Sequence, residues 1–291
     1  MLCQNPSPWI IGTPNGLTDA SLMHIVFSHA NSFPVSTYRV LFAALKKRGY
    51  SVHALEKFGH DPRYPVTNNW PNLVMQLADF VKETIESSGH PVHLVGHSLG
   101  GFLSLMTAAR HPELARSVLL LDAPLLGGWR ATGLGVAKST PLIGSITPGA
   151  VSRKRRNLWP SAEDAFEHFR HKKAFNKWQA DVLRDYVNHA MHDENGQRAL
   201  SFRRDIETAI YNTLPDNLEQ LLKRHPLKCP AAFIGGIQSQ ENRQVSLGMT
   251  EKVTKGRMMM VDGSHLFPME KPLVTAAMMD AALLNLKSLS A

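Results

Sequence analysis

The stretch Pro91-Val92-His93-Leu94-Val95-Gly96-His97-Ser98-Leu99-Gly100-Gly101-Phe102-Leu103-Ser104-Leu105-Met106-Thr107-Ala108-Ala109-Arg110 decides the fold. Its first five residues form an apolar, β-rich run of the kind found in buried strands. Residues 102–110 are apolar and helix-forming. The order is therefore strand, Gly-His-Ser-Leu-Gly, helix. That context separates a nucleophile elbow from a glycine-rich turn holding an incidental serine. A sharp turn would put Ser98 in a strained backbone conformation, with its hydroxyl clear of the sheet. Gly96 and Gly100 leave room for strand and helix to approach. The helix would start beside the serine, so its unpaired N–H groups and the positive end of its dipole face any oxyanion formed there.

Outward from this stretch the chain alternates. Met23-His24-Ile25-Val26-Phe27-Ser28 reads as a strand running into His29-Ala30-Asn31-Ser32-Phe33-Pro34. A helix is expected over 35–48, with Val40, Leu41, Ala44 and Leu45 on one face and Gly49 at its end. A strand over 51–56 and a Gly/Pro-rich loop over 58–65 follow. Asn69-Trp70-Pro71 opens the next helix, whose apolar face carries Leu73, Val74, Leu77, Phe80, Val81 and Ile85. After the elbow helix, Ser117-Val118-Leu119-Leu120-Leu121-Asp122 is another buried-type strand. This alternation predicts an α/β fold with a mostly parallel central sheet and helices on both faces.

The alternation then stops for about a hundred residues. Residues 125–148 are rich in Gly, Thr and Pro, while 162–192 and 200–222 read as helical. The expected organisation is a core formed by 1–124 and 226–291, with a helical cap inserted over 125–225. Phe166, Phe169, Phe175, Trp178, Tyr186 and their neighbours read as the packing underside of that cap rather than a cofactor site. The sheet is expected to resume at 230–236. A helix over 241–255, a last strand over 257–261, the loop Asp262-Gly263-Ser264-His265-Leu266-Phe267-Pro268 and a closing helix over 272–289 complete the chain. Near the amino terminus, Trp9-Ile10-Ile11 reads as an outer strand and Thr13-Pro14-Asn15-Gly16 as a turn.

Composition narrows the class. The 291 residues are 43% apolar and 19% charged, which suits a sizeable core and excludes a disordered chain. Cys3 and Cys229 make no disulfide framework, and neither a signal-peptide pattern nor a membrane span of about 18 apolar residues is read. A cytoplasmic protein without membrane attachment is the expectation. The net charge of +8 is concentrated: between Arg153 and Lys177 eight Lys/Arg stand against three Asp/Glu. Arg153-Lys154-Arg155-Arg156 lacks aromatic interleaving and any helix-turn-helix or RNA-binding signature, so a solvated basic face is read there and no nucleic-acid partner.

A serine nucleophile needs a base, a group that orients the base, and donors for the oxyanion. The elbow, the His29-Ala30-Asn31 motif at a strand end, the inserted cap and the late Gly263-Ser264-His265 resemble the α/β-hydrolase superfamily from about Met23 onward. The resemblance implies Ser98 as nucleophile and His265 as general base. His265 also stands on a loop directly after a strand, at the carboxyl edge of the sheet where sites form. It implies oxyanion donors at the N–H of Leu99 and of Asn31, with Ala30 in the position of a family glycine. His29 is then a structural residue of that loop. His97 reads as elbow packing and His93 as core.

The acid is open between two residues. Family members most often carry Asp where this chain has Ser239. Asp122 ends the strand after the elbow helix, a place some relatives such as haloalkane dehalogenases use; Glu241 lies two residues beyond Ser239. Both keep the order Ser, acid, His. The dehalogenase nucleophile is Asp, so Ser98 speaks against halide displacement. The reading is a serine hydrolase acting on a small ester or related acyl compound, with no metal or organic cofactor implied. Phe33, Trp129 and cap aromatics are candidate pocket walls. Thioesterase, C–C hydrolase and acyltransferase chemistry are rivals on the same fold. A non-catalytic ligand-binding protein is the rival of another class, favoured by the missing Asp at 239.

Overall fold

A computed structural model of the chain describes residues 9–11, 23–125, 127 and 149–289. Trp129, Cys3 and the expected turn at 13–16 lie outside these residues. Strands β1 (Trp9–Ile11), β2 (Met23–Ser28), β3 (Tyr50–Ala54), β4 (Val92–His97) and β5 (Ala115–Leu121) alternate with helices α1 (Arg39–Lys46), α2 (Pro71–Ser88) and α3 (Leu99–Arg110). A 3₁₀ turn, Val35–Tyr38, precedes α1 where a single helix is expected.

The segment between β5 and the next long strand carries α4 (Gly149–Lys154), β6 (Leu158–Trp159), α5 (Ala162–Arg170), α6 (Ala180–His189), β7 (Met191–Glu194), β8 (Gln197–Leu200), α7 (Arg204–Asn212) and α8 (Leu218–Arg224). The core resumes with β9 (Ala231–Gly236), α9 (Gln240–Gln244), α10 (Gly248–Thr254), β10 (Met258–Val261), α11 (Phe267–Glu270) and α12 (Pro272–Ser288).

The main sheet runs β1-β3-β2-β4-β5-β9-β10, parallel throughout except for the antiparallel edge strand β1. Side chains alternate between its two faces, as the pleat requires. Phe27, Val95, Leu119, Leu121 and Ile234 belong to one buried cluster, with Leu41 and Leu45 of α1 and Met279, Leu283 and Leu286 of α12. Val26, Leu94, Val118, Leu120 and Phe233 belong to the other, with Leu77 and Val81 of α2 and Leu103 and Met106 of α3. A sheet buried on both faces explains why its strands read as near-continuous apolar runs. Among the described residues no helix is long and apolar enough to cross a membrane.

The inserted segment departs from the helical expectation. Residues 191–200 form a β-hairpin, and a three-stranded antiparallel sheet runs β6-β8-β7. Asn195 and Gly196, with φ of 51° and 78°, make its turn, as the left-handed preference of Asn-Gly dictates. The expected helix over 200–222 is divided into α7 and α8 across Pro215, which cannot continue a helical hydrogen-bond ladder. The expected helix over 241–255 is likewise two, α9 and α10.

The aromatic residues pack as expected. Phe169, Phe175, Trp178 and Tyr186 form one stack, with neighbouring centroids from 4.7 to 5.8 Å apart. Phe33, on the loop after β2, lies 5.8–6.1 Å from three of them. That contact seats the segment on the carboxyl edge of the main sheet.

Candidate active site

Ser98 stands alone between β4 and α3, with φ 53° and ψ −116°. A non-glycine residue there is strained by about 1–3 kcal/mol and persists only because its surroundings over-determine it. They do so through backbone. Ser98 N–H donates to Leu121 O at 2.9 Å, and Gly101 N–H donates to Ser98 O at 2.9 Å. A Cβ on Gly96 would overlap the Gly100 carbonyl, and one on Gly100 would overlap the Ser28 carbonyl. Only glycine at both positions lets α3 close against β4 and β2. Two further residues at this edge carry positive φ, Ser32 on the loop after β2 at 78° and Asp122 directly after β5 at 42°.

The structure brings Ser98's expected partners to the same edge. His265 follows β10, and its Nδ1–H donates to Asp122 Oδ2 at 2.7 Å. Its loop is pinned by Ser264, whose N–H donates to Glu270 Oε2 at 2.9 Å and whose hydroxyl donates to Glu270 Oε1 at 2.5 Å. Asp122 is fully buried, and both of its oxygens are saturated. Oδ1 accepts Gly236 N–H at 2.6 Å and an Asn242 Nδ2–H at 2.8 Å; Oδ2 accepts the Ser239 hydroxyl at 2.6 Å besides His265.

Of the two carboxylates left open by the sequence, Asp122 thus holds His265 directly. Glu241 Oε2 lies 3.7 Å from His265 Nδ1, on a side chain 45% exposed. Ser239, in the position where relatives carry Asp, donates to Asp122.

Burial alone would push the Asp122 carboxyl up, but the hydrogen bond and charge of His265, the Ser239 hydroxyl and the Gly236 N–H hold it below the usual carboxylate range. Burial pulls His265 down; the hydrogen bond to Asp122 and the nearby charges of Glu241 and Asp122 outweigh it and raise the imidazole above its ordinary value. Asp122, Glu241 and His265 are also the one group of His, Cys, Asp and Glu among the described residues with ligand atoms within 4.8 Å of one another. With each Asp122 oxygen already accepting two donors, the group is built to orient an imidazole rather than to hold a cation.

The loop after β2 faces the elbow. Burial pushes His29 down to about 3. Its Nδ1–H donates to Ala30 O at 2.8 Å and its Nε2 accepts Phe58 N–H at 3.0 Å, which is the structural role expected of it. His93 is core as expected, bonded to the Ser117 hydroxyl at 2.8 Å. Asn31 Nδ2–H donates to Glu207 O at 3.1 Å, and the Ser32 hydroxyl donates to Glu207 Oε1 at 2.5 Å. Helix α7 is thereby strapped to the loop of the expected oxyanion donor.

Arg155 Nε lies 3.2 Å from Glu207 Oε2 and its side chain is only 24% exposed. This corrects the reading of residues 153–156 as one solvated face. Arg153, Lys154 and Arg156 are exposed, whereas Arg155 points inward to a carboxylate that is 4% exposed. His97 also carries more than packing. Tyr38 and His265 both bond its ring, at 2.8 Å each. Neither partner could be read from the sequence, because they lie far along the chain.

A mostly parallel sheet, a strained serine between strand and helix, and an Asp–His pair at the same carboxyl edge of the sheet define an α/β-hydrolase. The chain belongs to the alpha/beta hydrolase family, whose sequence model matches residues 25–278. Among curated proteins it is similar to a serine hydrolase-like protein of Dictyostelium discoideum, 22% identical over 263 residues covering 81% of this chain and 67% of that protein. Among solved structures it resembles a peroxisomal alpha-beta-hydrolase from Saccharomyces cerevisiae, at TM-score 0.73, 13% identity, and 94% and 80% coverage of the two chains. It also resembles E-2-(acetamidomethylene)succinate hydrolase, at TM-score 0.66, 18% identity, and 90% and 91% coverage. At these identities the solved structures speak for the fold alone.

Proposed function

We propose that the chain is a serine hydrolase cleaving a carboxylic ester or related acyl bond, with the inserted segment as a cap over the site. The observation that carries this reading is the His265–Asp122 hydrogen bond beside an elbow serine. Asp122 accepts the proton on Nδ1, so Nε2 presents its lone pair as general base.

Ser98 Oγ attacks the acyl carbon while Nε2 takes its proton. The carbonyl oxygen, now an oxyanion, accepts the N–H groups of Leu99 and Asn31. Leu99 is the first residue of α3, where no intrahelical acceptor exists. Collapse of the tetrahedral intermediate expels the alcohol, which leaves with the proton from His265. Water then attacks the acyl-enzyme and gives its proton to His265. Release of the acid returns that proton to Ser98. Asp122 stabilises the imidazolium formed in each half and stays ionised, which its lowered pKa supports. Phe33 and the aromatic stack behind it are the apolar wall offered to the acyl chain.

A non-catalytic ligand-binding role drew its support from the missing Asp at 239. Asp122 bonded to both Ser239 and His265 removes that support. The test is intact-mass measurement after incubation with a fluorophosphonate. A single adduct that disappears in Ser98→Ala is expected. An unlabelled, folded protein would sink the proposal.

A further inference from the structure

His97 immediately precedes Ser98, and its side chain is sealed from solvent. Its Nε2 lies 2.8 Å from the backbone carbonyl oxygen of His265. A carbonyl oxygen can only accept, so Nε2 carries the proton and Nδ1 is bare. The Tyr38 hydroxyl, 2.8 Å from Nδ1, must then be the donor. With its one proton committed there, the Tyr38 oxygen accepts the Ala30 N–H at 3.1 Å. Every proton in the chain of contacts has one direction: Ala30 N–H to Tyr38, Tyr38 O–H to His97 Nδ1, His97 Nε2–H to the His265 carbonyl. Burial pushes His97 down to about 3, so the ring keeps this single neutral form at working pH.

The chain ties together three strand ends that are separate in sequence. Ala30 lies on the loop after β2, next to Asn31. His97 closes β4, next to Ser98. His265 lies on the loop after β10. A misplacement of about 1 Å in such a constellation costs on the order of 10² in rate. We propose that the His97 imidazole, with Tyr38, sets the positions of the His265 loop and the Asn31 loop relative to Ser98, so that both are positioning residues of the reaction. The His97 ring also packs 5.2 Å from the His265 ring and 6.4 Å from Phe267. A space-filling role alone would be served by any apolar side chain of similar size; the positioning role needs a donor at Nε2. Gln, whose side-chain amide nitrogen can reach the Nε2 position, separates the two.

This inference rests on the serine-hydrolase reading, and the experiment distinguishes the failure of each. The second-order rate of fluorophosphonate labelling and the turnover of p-nitrophenyl butyrate are measured for wild type, His97→Leu, His97→Gln and Tyr38→Phe, with circular-dichroism melts as the control for folding. The downfield proton resonance of His265 Nδ1–H reports the base's position without any turnover. The expected result is a loss of about 10² in kcat and labelling rate for His97→Leu with KM little changed, recovery of at least about tenfold in His97→Gln, and a loss of about five- to tenfold in Tyr38→Phe. The His265 resonance should shift or broaden in His97→Leu and Tyr38→Phe.

A folded His97→Leu within threefold of wild type, or a Gln variant no better than Leu, would overturn the proposal. Should both His97 variants melt below the assay temperature, Tyr38→Phe, which removes one oxygen, decides: unchanged rate and resonance overturn it. An unlabelled wild type would end the serine-hydrolase reading instead, while the resonance would still test the contact chain.

Discussion

Replacing Asp122 by Asn isolates what the proposed acid does, because the structure dictates how the amide must sit. Oδ1 receives two N–H donors, one of them the immovable backbone N–H of Gly236 at 2.6 Å. An amide nitrogen there would set donor against donor, so the nitrogen must take the place of Oδ2. Ser239 tolerates this, since its hydroxyl can turn its proton to Glu241 Oε2, 3.1 Å away. His265 does not: to face an N–H donor, Nδ1 must give up its proton, which moves to Nε2. The lone pair that should receive the Ser98 proton is then gone. The wrong tautomer costs about 10⁴ in turnover in comparable triads. Glu241, 3.7 Å from Nδ1, can hold a minority of the correct tautomer, so a loss between about 10³ and 10⁴ is expected here. Adding Glu241→Gln should lower the residue further. Fluorophosphonate labelling and p-nitrophenyl butyrate turnover read both, with a melt showing that the fold survives. Asp122→Asn within tenfold of wild type, with Glu241→Gln alone inactive, would show that Glu241, not Asp122, orients the base.

Glu241→Gln alone should retain most activity at the optimum but move the acid limb of the pH–rate profile to lower pH. In the proposed mechanism His265 works as the neutral base; its pKa is raised in part by Glu241, and removing that negative charge lowers it. An interaction of about 1 kcal/mol at this separation in water is screened by salt, so wild type in high salt should move the same way. Gly100→Ala should destabilise the protein by about 3 kcal/mol or more in urea unfolding, because the new Cβ would overlap the Ser28 carbonyl and crowd the Ser28 Cβ; a loss under about 1 kcal/mol would contradict the close approach. Neutralising Arg153, Lys154 and Arg156 together should leave turnover of an uncharged ester unchanged. Arg155→Met should reduce it and lower the melting temperature, since it strands the buried Glu207 carboxylate that holds Ser32; equal effects from the two changes would refute the distinction.

The alternation of strands and helices was legible because it is local. Buried parallel strands must be apolar on both faces, and helices such as α2 must repeat their apolar residues every three to four positions. The elbow was legible for the same reason, since turn, strand and helix are contiguous and both glycines answer to contacts within that unit or with the next strand. The hairpin at 191–200 was harder. Its Asn195-Gly196 turn was in plain view, but strands of four residues in which buried and exposed positions run in blocks, Met191 in one and Ala199-Leu200 in the other, carry no alternation to flag them.

At the candidate site, local pattern could supply Ser98 and His265 but not the links between them. Asp122 and Glu241 occupy equivalent places in chain order. What separates them is that β5 lies beside β9, which delivers Gly236 N–H, Ser239 and Asn242 to the Asp122 carboxylate and leaves Glu241 at the rim. Arg155 looked like one charge in a basic run until α4 and α7 came together and placed Glu207 beneath it. His97 looked like packing because its partners, Tyr38 and the His265 carbonyl, are brought to it only when β2, β4 and β10 share one sheet edge. Residue type and period, which act over a few positions, determined the fold class and singled out Ser98 as the proposed nucleophile. Hydrogen bonds between residues distant in the chain have no local signature, so which carboxylate bonds His265, the inward turn of Arg155 and the contacts of His97 were decided by the tertiary structure alone.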